Sequence, residues 1–109
     1  MKKEYIEVTL NSSAEIIKFK NTFSDLGYTE KDVIGKNWFN LFIDENNTIE
    51  VLEVFSSLFL KDSKNWKTYK NDIKCKNGSH KSIDFSNEMV DINGEKFMKF
   101  RGVEHYFKV

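Results

Sequence analysis

The sequence contains no proline, only one cysteine and only two histidines among its 109 residues. Because Cys75 has no second cysteine to pair with, no internal disulfide can form, and a reducing cytoplasm is the expected compartment. No apolar run approaches the roughly 20 residues that a membrane-spanning helix needs. No apolar segment of a signal peptide follows the charged residues at positions 2 and 3. We therefore expect a cytoplasmic chain without a membrane segment.

An excess of charge of one sign is also missing. The charges of the 17 basic and 17 acidic side chains cancel, and the lysines are spread evenly and interleaved with acids. Proteins that bind nucleic acids usually carry a basic stripe or patch. We therefore expect no nucleic-acid partner.

Residues suited to catalysis are scarce. Nucleophilic catalysis needs a nucleophile and a base within hydrogen-bond reach, and the only histidines are His80 and His105. Cys75 and His80 lie on opposite sides of a predicted hairpin turn, so the turn alone explains why they are close. The sequence predicts no catalytic site and no metal site, with Cys75 half-buried and His80 at the surface.

Aromatic residues, by contrast, are abundant. Ten Phe, four Tyr and two Trp provide enough bulk to fill the core of a small domain or to line a cavity in it. The length fits a single domain over residues 1–109, with positions 1–4 and 108–109 as flanking segments.

Alternation and turn residues predict five strands. Ile6, Val8 and Leu10 alternate with polar residues, which is typical of a half-buried strand. A partner strand is predicted over residues 15–19, with Ile17 and Phe19 as its apolar residues. Asn-Gly pairs at 77–78 and 93–94 are strong hairpin signals. They separate three longer predicted strands at residues 66–76, 80–92 and 96–107.

Short helices are predicted between the two groups of strands. A helical turn is expected at residues 21–26, and Thr29 can cap a second helix that ends near Gly35. A longer helix is predicted from Thr48 to about residue 62. Its apolar residues recur at helical spacing: Ile49, Leu52, Phe55, Leu58 and Phe59.

The motif I-x-x-x-N, followed by F-x-x-L-G-Y-T-x-x-D-V-I-G-K, runs from Ile17 to Lys36. It resembles the PAS sensory domain, and the resemblance extends over almost the whole chain. It implies an α+β fold in which a five-stranded antiparallel sheet carries short helices and one longer helix on one face, in the order β-β-α-α-α-α-β-β-β.

The two common PAS cofactors are not expected. Flavin-binding LOV domains resemble the run G-K-N-W-F-N-L-F, but they carry a photoreactive Cys where Trp38 stands. Their flavin-holding Asn and Gln positions fall here at Ile73, Ile83 and Glu104. Haem-binding PAS domains typically use a His on the long helix, and residues 48–60 contain no His, Cys or Met.

An apolar chamber between sheet and helices is the remaining candidate site. It would either be filled by its own side chains or hold an unidentified small apolar ligand, with Asn71, Asn87 and Glu104 as polar contacts. An inward carboxylate such as Glu104 must be paired, protonated or solvated. The apolar residues expected to face inward are Phe23, Ile34, Trp38, Phe42, Leu52, Phe55, Tyr69, Ile73, Ile83, Phe85, Met98 and Phe100.

The resemblance also implies partners. PAS domains often dimerise through the outer face of the sheet, where Phe97, Val103 and His105 are predicted to lie. Such a domain would sense a signal and modulate an attached or associated output, for example a histidine kinase or a diguanylate cyclase. Three functions stay open: a ligand sensor, a ligand-free dimerisation module, and a small enzyme on a PAS-like scaffold.

Overall fold

One antiparallel sheet of five strands forms the framework of the computed structural model, which describes residues 4–61 and 68–105. The strand order is β2-β1-β5-β4-β3, so the first hairpin joins the last three strands through the β1–β5 pair. The strands are β1 (Tyr5–Leu10), β2 (Ile16–Asn21), β3 (Thr68–Lys74), β4 (His80–Ile92) and β5 (Glu95–Glu104).

The helical segments follow β2 and cover one face of the sheet. They are α1 (Glu30–Val33), α2 (Trp38–Phe42), a 3₁₀ turn (Glu45–Asn47) and α3 (Thr48–Lys61). The α+β class and the five-stranded antiparallel sheet predicted from the sequence are therefore confirmed. None of these helices is long and apolar enough to cross a membrane in the part of the chain that the structure describes.

The predicted strand bounds hold best for β1 and β4, which begin and end where the alternation and the Asn-Gly turns place them. Asn93 and Gly94 both have positive φ, as a type I′ hairpin turn requires. Three predicted ends lie outside the described residues: the end of the long helix at 62, the beginning of the third strand at 66–67 and the end of the last strand at 106–107.

A β-bulge overturns the prediction for Ile17. Thr9 pairs with Lys18 and Leu10 pairs with Ile16, so Ile17 is the extra residue in β2. Ile16 and Phe19 therefore both face the core, whereas Ile17 is 42% exposed. Simple alternation from Phe19 back to Ile17 fails because the bulge adds one residue to the strand.

The helical turn predicted at residues 21–26 is an irregular turn instead. The Asn21 side chain accepts a hydrogen bond from the Phe23 N–H at 2.9 Å, and this local bond replaces the start of a helix. The Leu26 carbonyl accepts from the Lys76 N–H at 2.9 Å. A Cβ at Gly27 would lie 2.8 Å from the Lys76 Cβ, so the absence of a side chain there permits this close approach.

Helix α1 starts at its predicted cap. The Thr29 N–H and hydroxyl both donate to the Asp32 carboxylate, at 2.9 and 3.0 Å. These bonds hold the pKa of Asp32 below its usual value. Val33 is fully buried beneath the helix. Ile34 was predicted to face inward, but it follows the single turn of α1 and points away from Val33, which leaves it 42% exposed.

Helix α2 is held in place by two sets of hydrogen bonds at its N-terminus. The Asn37 carboxamide accepts from the Phe39 and Asn40 N–H groups, at 2.9 and 3.2 Å. The Trp38 N–H donates to the Ala14 carbonyl at 2.9 Å, which ties the helix to the β1–β2 loop. Trp38 and Phe42 are thereby directed at the sheet.

The buried face of α3 differs from the predicted one. Leu52 is 40% exposed, so the prediction that it faces inward is wrong, and Ile49, which belongs to the same predicted apolar spacing, is 76% exposed. The predicted apolar stripe ran through Leu52, whereas the true one runs through Val51 and Val54. Each residue of a helix is rotated by about 100° from the one before it, so a shift of one or two positions selects another face. The residues that pack towards the sheet are Val51, Val54, Phe55 and Leu58.

Candidate functional site

A small cavity lies between α3 and the inner face of β3, β4 and β5. Its volume is about 40 Å³. That exceeds the roughly 10–15 Å³ that one water needs, but it is far below the roughly 300–1,000 Å³ typical of ligand pockets. The lining residues are Trp38, Phe39, Val51, Val54, Phe55, Leu58, Tyr69, Asn71, Phe85, Asn87, Met98 and Phe100.

Trp38 is the centre of the aromatic wall on one side. Its ring stacks on Phe42 at 4.4 Å between centroids and meets Phe100 edge-on at 4.9 Å. Phe85 and Phe100 are edge-to-face at 5.4 Å. Stacked and edge-to-face ring pairs are favourable beyond their buried area. The wall is therefore a preorganised apolar surface.

Phe55 forms the opposite wall on α3. Its ring packs edge-on against Phe39 at 5.5 Å, and it meets the ring of Phe59 at 4.6 Å with a tilt of 44°. The contact with Phe39 ties α3 to α2. A rotation of the Phe55 ring would change the cavity volume without breaking a hydrogen bond.

A hydrogen bond closes the cleft between α3 and β3. The Tyr69 hydroxyl donates to Glu50 Oε1 at 3.1 Å. Burial of the phenol and this bond to Glu50 raise the pKa of Tyr69 to about 12. The phenol therefore stays protonated at neutral pH, and Glu50 places a negative charge at the mouth of the cleft.

Two carboxamides supply the other polar groups. Asn71 lies opposite Ile83 in the β3–β4 register, and Asn87 lies four residues further along β4. The two amides are thus roughly 13 Å apart along the strand direction. Within residues 4–61 and 68–105 the Asn71 side chain forms no hydrogen bond, and an amide in an apolar surrounding gains from a partner.

The structure separates the predicted inward residues into three groups. Eight line the cavity: Trp38, Phe55, Tyr69, Asn71, Phe85, Asn87, Met98 and Phe100. Four are buried but belong to the core outside its lining: Phe23, Phe42, Ile73 and Ile83. Ile34 and Leu52 are exposed to solvent, as described above.

Glu104 is the remaining predicted residue, and its carboxylate is paired. Lys81 Nζ lies 3.3 Å from Glu104 and 2.9 Å from Asp25, and its side chain is only 12% exposed. Burial acts to lower the pKa of Lys81, but the hydrogen bonds to Asp25 and Glu104 outweigh it and raise that pKa. The inward carboxylate therefore has a structural partner at the edge of the core.

Four lining residues were missing from the predicted site. They are Phe39, Val51, Val54 and Leu58. Three of them follow the spacing i, i+3 and i+7 from Val51, a helical stripe that was present in the sequence. The competing stripe through Ile49 and Leu52 concealed it.

Cys75 and His80 have separate structural roles. Cys75 is 4% exposed, which is more buried than predicted, and its N–H donates to the Ser79 carbonyl. His80 Nε2 lies 3.1 Å from Asp44 Oδ2. The Asn46 N–H and then His80 hold the pKa of Asp44 below its usual value. The described residues contain no group of three or more metal-ligating side chains.

The predicted dimer residues all lie towards the outer face of the sheet, but they do not form one patch. Phe97 pairs with Val90 near the β4–β5 turn, where Ile92 is 51% exposed. Val103 is six residues away on β5, roughly 20 Å, with charged side chains between. His105 Nδ1 lies 2.7 Å from Asp84.

Comparison of the three-dimensional structure with solved structures gives a consistent result. The PAS domain of the Cronobacter turicensis quorum-sensing receptor RpfR, in complex with C12:0, matches with a TM-score of 0.72 and 24% identity over 97% of both chains. The same domain in complex with BDSF matches with a TM-score of 0.69. A PAS domain from Desulfitobacterium hafniense gives a TM-score of 0.74 at 12% identity, over 96% of this chain and 94% of that one.

A PAS domain of an HTR-like protein from Haloarcula marismortui gives a TM-score of 0.69 at 19% identity, over 94% of this chain and 81% of that one. No protein-family model matches the chain, and the search of curated proteins found no match. The chain has the PAS fold, which confirms the resemblance seen in the motif from Ile17 to Lys36.

Proposed function

We propose that the chain is a cytoplasmic sensory PAS module that binds a small, largely apolar ligand between α3 and the sheet. The observation that carries this proposal is the cleft itself. It combines preorganised aromatic walls with a few polar groups, Tyr69, Asn71 and Asn87, which is the usual composition of a ligand site. The similar RpfR domain is a quorum-sensing receptor in complex with C12:0.

The small cavity volume suggests how a signal would arise. A ligand larger than a few atoms requires part of α3 to move away from the sheet, while the bond between Tyr69 and Glu50 holds the first turn of α3 to β3. A ligand that binds only the opened arrangement shifts the population towards it. The change would reach an attached or associated effector through β5, whose inner face lines the cleft at Met98 and Phe100.

We propose that neither flavin nor haem is bound and that the chain has no catalytic role. Ile73 and Ile83, at the positions where LOV domains hold flavin, are both fully buried in the core. Cys75 is buried, and within the described residues His80 bonds to Asp44 and not to Cys75, so the two do not form a nucleophile–base pair.

The ligand site can be tested with 1-octanol, an uncharged amphiphile. We expect it to shift the backbone amide resonances of α3 and of β3–β5 in a ¹⁵N–¹H titration. Val54→Phe should abolish these shifts, because Val54 lines the cavity and the added ring fills it. Ile17→Phe, at an exposed position outside the lining, is the matched control. Equal shifts in both variants, or none in the unmodified protein, would exclude this site.

A ligand-free dimerisation module is the second candidate function. The low cavity volume favours it, as does a small apolar group on the outer face near the β4–β5 turn, formed by Val90, Ile92 and Phe97. In a homodimer this group would be covered by a second copy of the chain.

This dimer should be visible in sedimentation velocity experiments at rising protein concentration. We expect Phe97→Asp to keep the protein monomeric, whereas Ile17→Asp, on the edge strand β2 and outside this apolar group, should leave association unchanged. If the unmodified protein stays monomeric at about millimolar concentration, its dissociation constant is weaker than that of a specific interface. That result would contradict the proposal.

A further inference from the structure

We propose that the cleft prefers an uncharged amphiphile, with a head group that both donates and accepts hydrogen bonds, over a carboxylate of the same length. A primary amide is the simplest example. This inference rests on the proposed ligand site, and it names the class of ligand. It follows from the polar groups on the α3–β3 side of the cleft.

The first reason is the charge of Glu50. Its carboxylate is 3.1 Å from the hydroxyl of Tyr69, which itself lines the cavity. A ligand carboxylate that approaches Tyr69 therefore comes close to a fixed negative charge of the protein. Because Glu50 is exposed and Tyr69 is half-buried, water and salt screen this like-charge repulsion in part without removing it. An uncharged head group avoids it.

The second reason is the direction of the hydrogen bond. Because the Tyr69 hydroxyl donates its one hydrogen to Glu50, it cannot donate to a ligand, and a ligand that bonds to it must itself be the donor. The raised pKa of Tyr69 agrees with a phenol that keeps its hydrogen next to this carboxylate. An amide N–H can donate to that oxygen, whereas an ionised carboxylate has no hydrogen to donate.

The third reason is Asn71, two residues from Tyr69 on the same face of β3 and thus roughly 7 Å away. Its carboxamide offers both donors and an acceptor, and it forms no hydrogen bond within the described parts of the chain. A primary amide can bond to it in both directions. Among the described residues that line the cleft there is no Lys, Arg or His to pair with a carboxylate.

Octanamide and octanoate form a matched pair of probes, because they share the alkyl chain and differ in the head group. Both would be titrated into the ¹⁵N-labelled protein at pH 7.5 and low salt, with the affinities taken from shifts of cleft residues. We expect octanamide to bind about tenfold more tightly, as expected for one like-charge contact in a partly exposed site. High salt should reduce the difference.

Two variants separate the contributions. Glu50→Gln keeps a hydrogen-bond acceptor for Tyr69 and removes the charge, so octanoate should gain about tenfold while octanamide changes little. Asn71→Leu should weaken octanamide about tenfold, because its head group then loses a partner. Glu30→Gln removes an exposed carboxylate on α1, outside the lining, and should change neither affinity.

The outcomes are distinct. Octanoate that binds as tightly as octanamide in the unmodified protein overturns the inference, and so does an unchanged ratio in Glu50→Gln, while the ligand site itself stands. If neither probe shifts the cleft residues, the proposed ligand site is wrong and the inference fails with it.

Discussion

Replacement of Phe42 by alanine is expected to lower the free energy of unfolding by about 3–5 kcal/mol, the usual cost of deleting a buried ring. Phe42 is fully buried, and its ring contacts those of Trp38, Tyr28 and Phe19 at 4.4, 5.0 and 5.9 Å. Its removal leaves a cavity under α2 that these neighbours cannot fill. A domain of this kind has about 5–15 kcal/mol of stability in total.

Leu52→Ala is the matched control for this experiment, because the sequence predicted that both residues face inward. Leu52 is 40% exposed on α3, so we expect its replacement to change the free energy of unfolding by about 0.5 kcal/mol or less. Urea denaturation followed by far-ultraviolet circular dichroism measures both. A loss from Leu52→Ala as large as that from Phe42→Ala would contradict the orientation of α3.

The strands were predicted well because their period is short and their turns are specific. In β4, alternation placed Ile83, Phe85 and Asn87 on one face, and a two-residue period allows only two assignments of the faces. The structure puts Phe85 and Asn87 in the lining of the cleft. The same reasoning placed Tyr69 and Asn71 correctly on β3, so the polar half of the candidate site could be predicted from the sequence.

The helical half could not be predicted as well. α3 is apolar on two adjacent faces, so Ile49-Leu52-Phe55 and Val51-Val54-Leu58 both satisfy a helical period. Only contact with the sheet decides between them. The bulge at Ile17 is likewise invisible in the apolar pattern, because it depends on the register between β1 and β2. The register between two strands and the rotation of a helix about its axis depend on tertiary contacts, which the apolar pattern of one sequence does not specify.

The cavity volume is a further property that composition cannot give. Sixteen aromatic residues are compatible with a filled core and with a hollow one. The outcome depends on how rings such as those of Phe85 and Phe100 meet, at 5.4 Å and nearly perpendicular. One methylene more or less in such a contact changes a small cavity substantially. A single position in β5 is the sharpest test of this packing.

Gly102→Ala is expected to lower the free energy of unfolding by about 3 kcal/mol, the upper range for an overpacked core. Gly102 is buried in β5 opposite Phe85. An added Cβ would overlap the Ile83 side chain and come within 2.8 Å of the Phe85 ring. Neither neighbour can retreat, since Ile83 is fully buried and Phe85 packs against Trp38.

Urea denaturation measures the cost of Gly102→Ala in the unmodified protein and in the Ile83→Ala variant. The comparison separates steric overlap with Ile83 from effects on the backbone. Ile83→Ala removes the nearest atom, so in that background the added cost of Gly102→Ala should fall by about 1 kcal/mol or more, a coupling typical of residues in contact. Gly94→Ala is the control: no atom lies within 4 Å of its added Cβ, and its cost reflects only the positive φ of the turn. That cost should be the same with and without Ile83→Ala. If Gly102→Ala is equally insensitive to Ile83→Ala, the close packing of β5 against β4 beside the cleft is wrong.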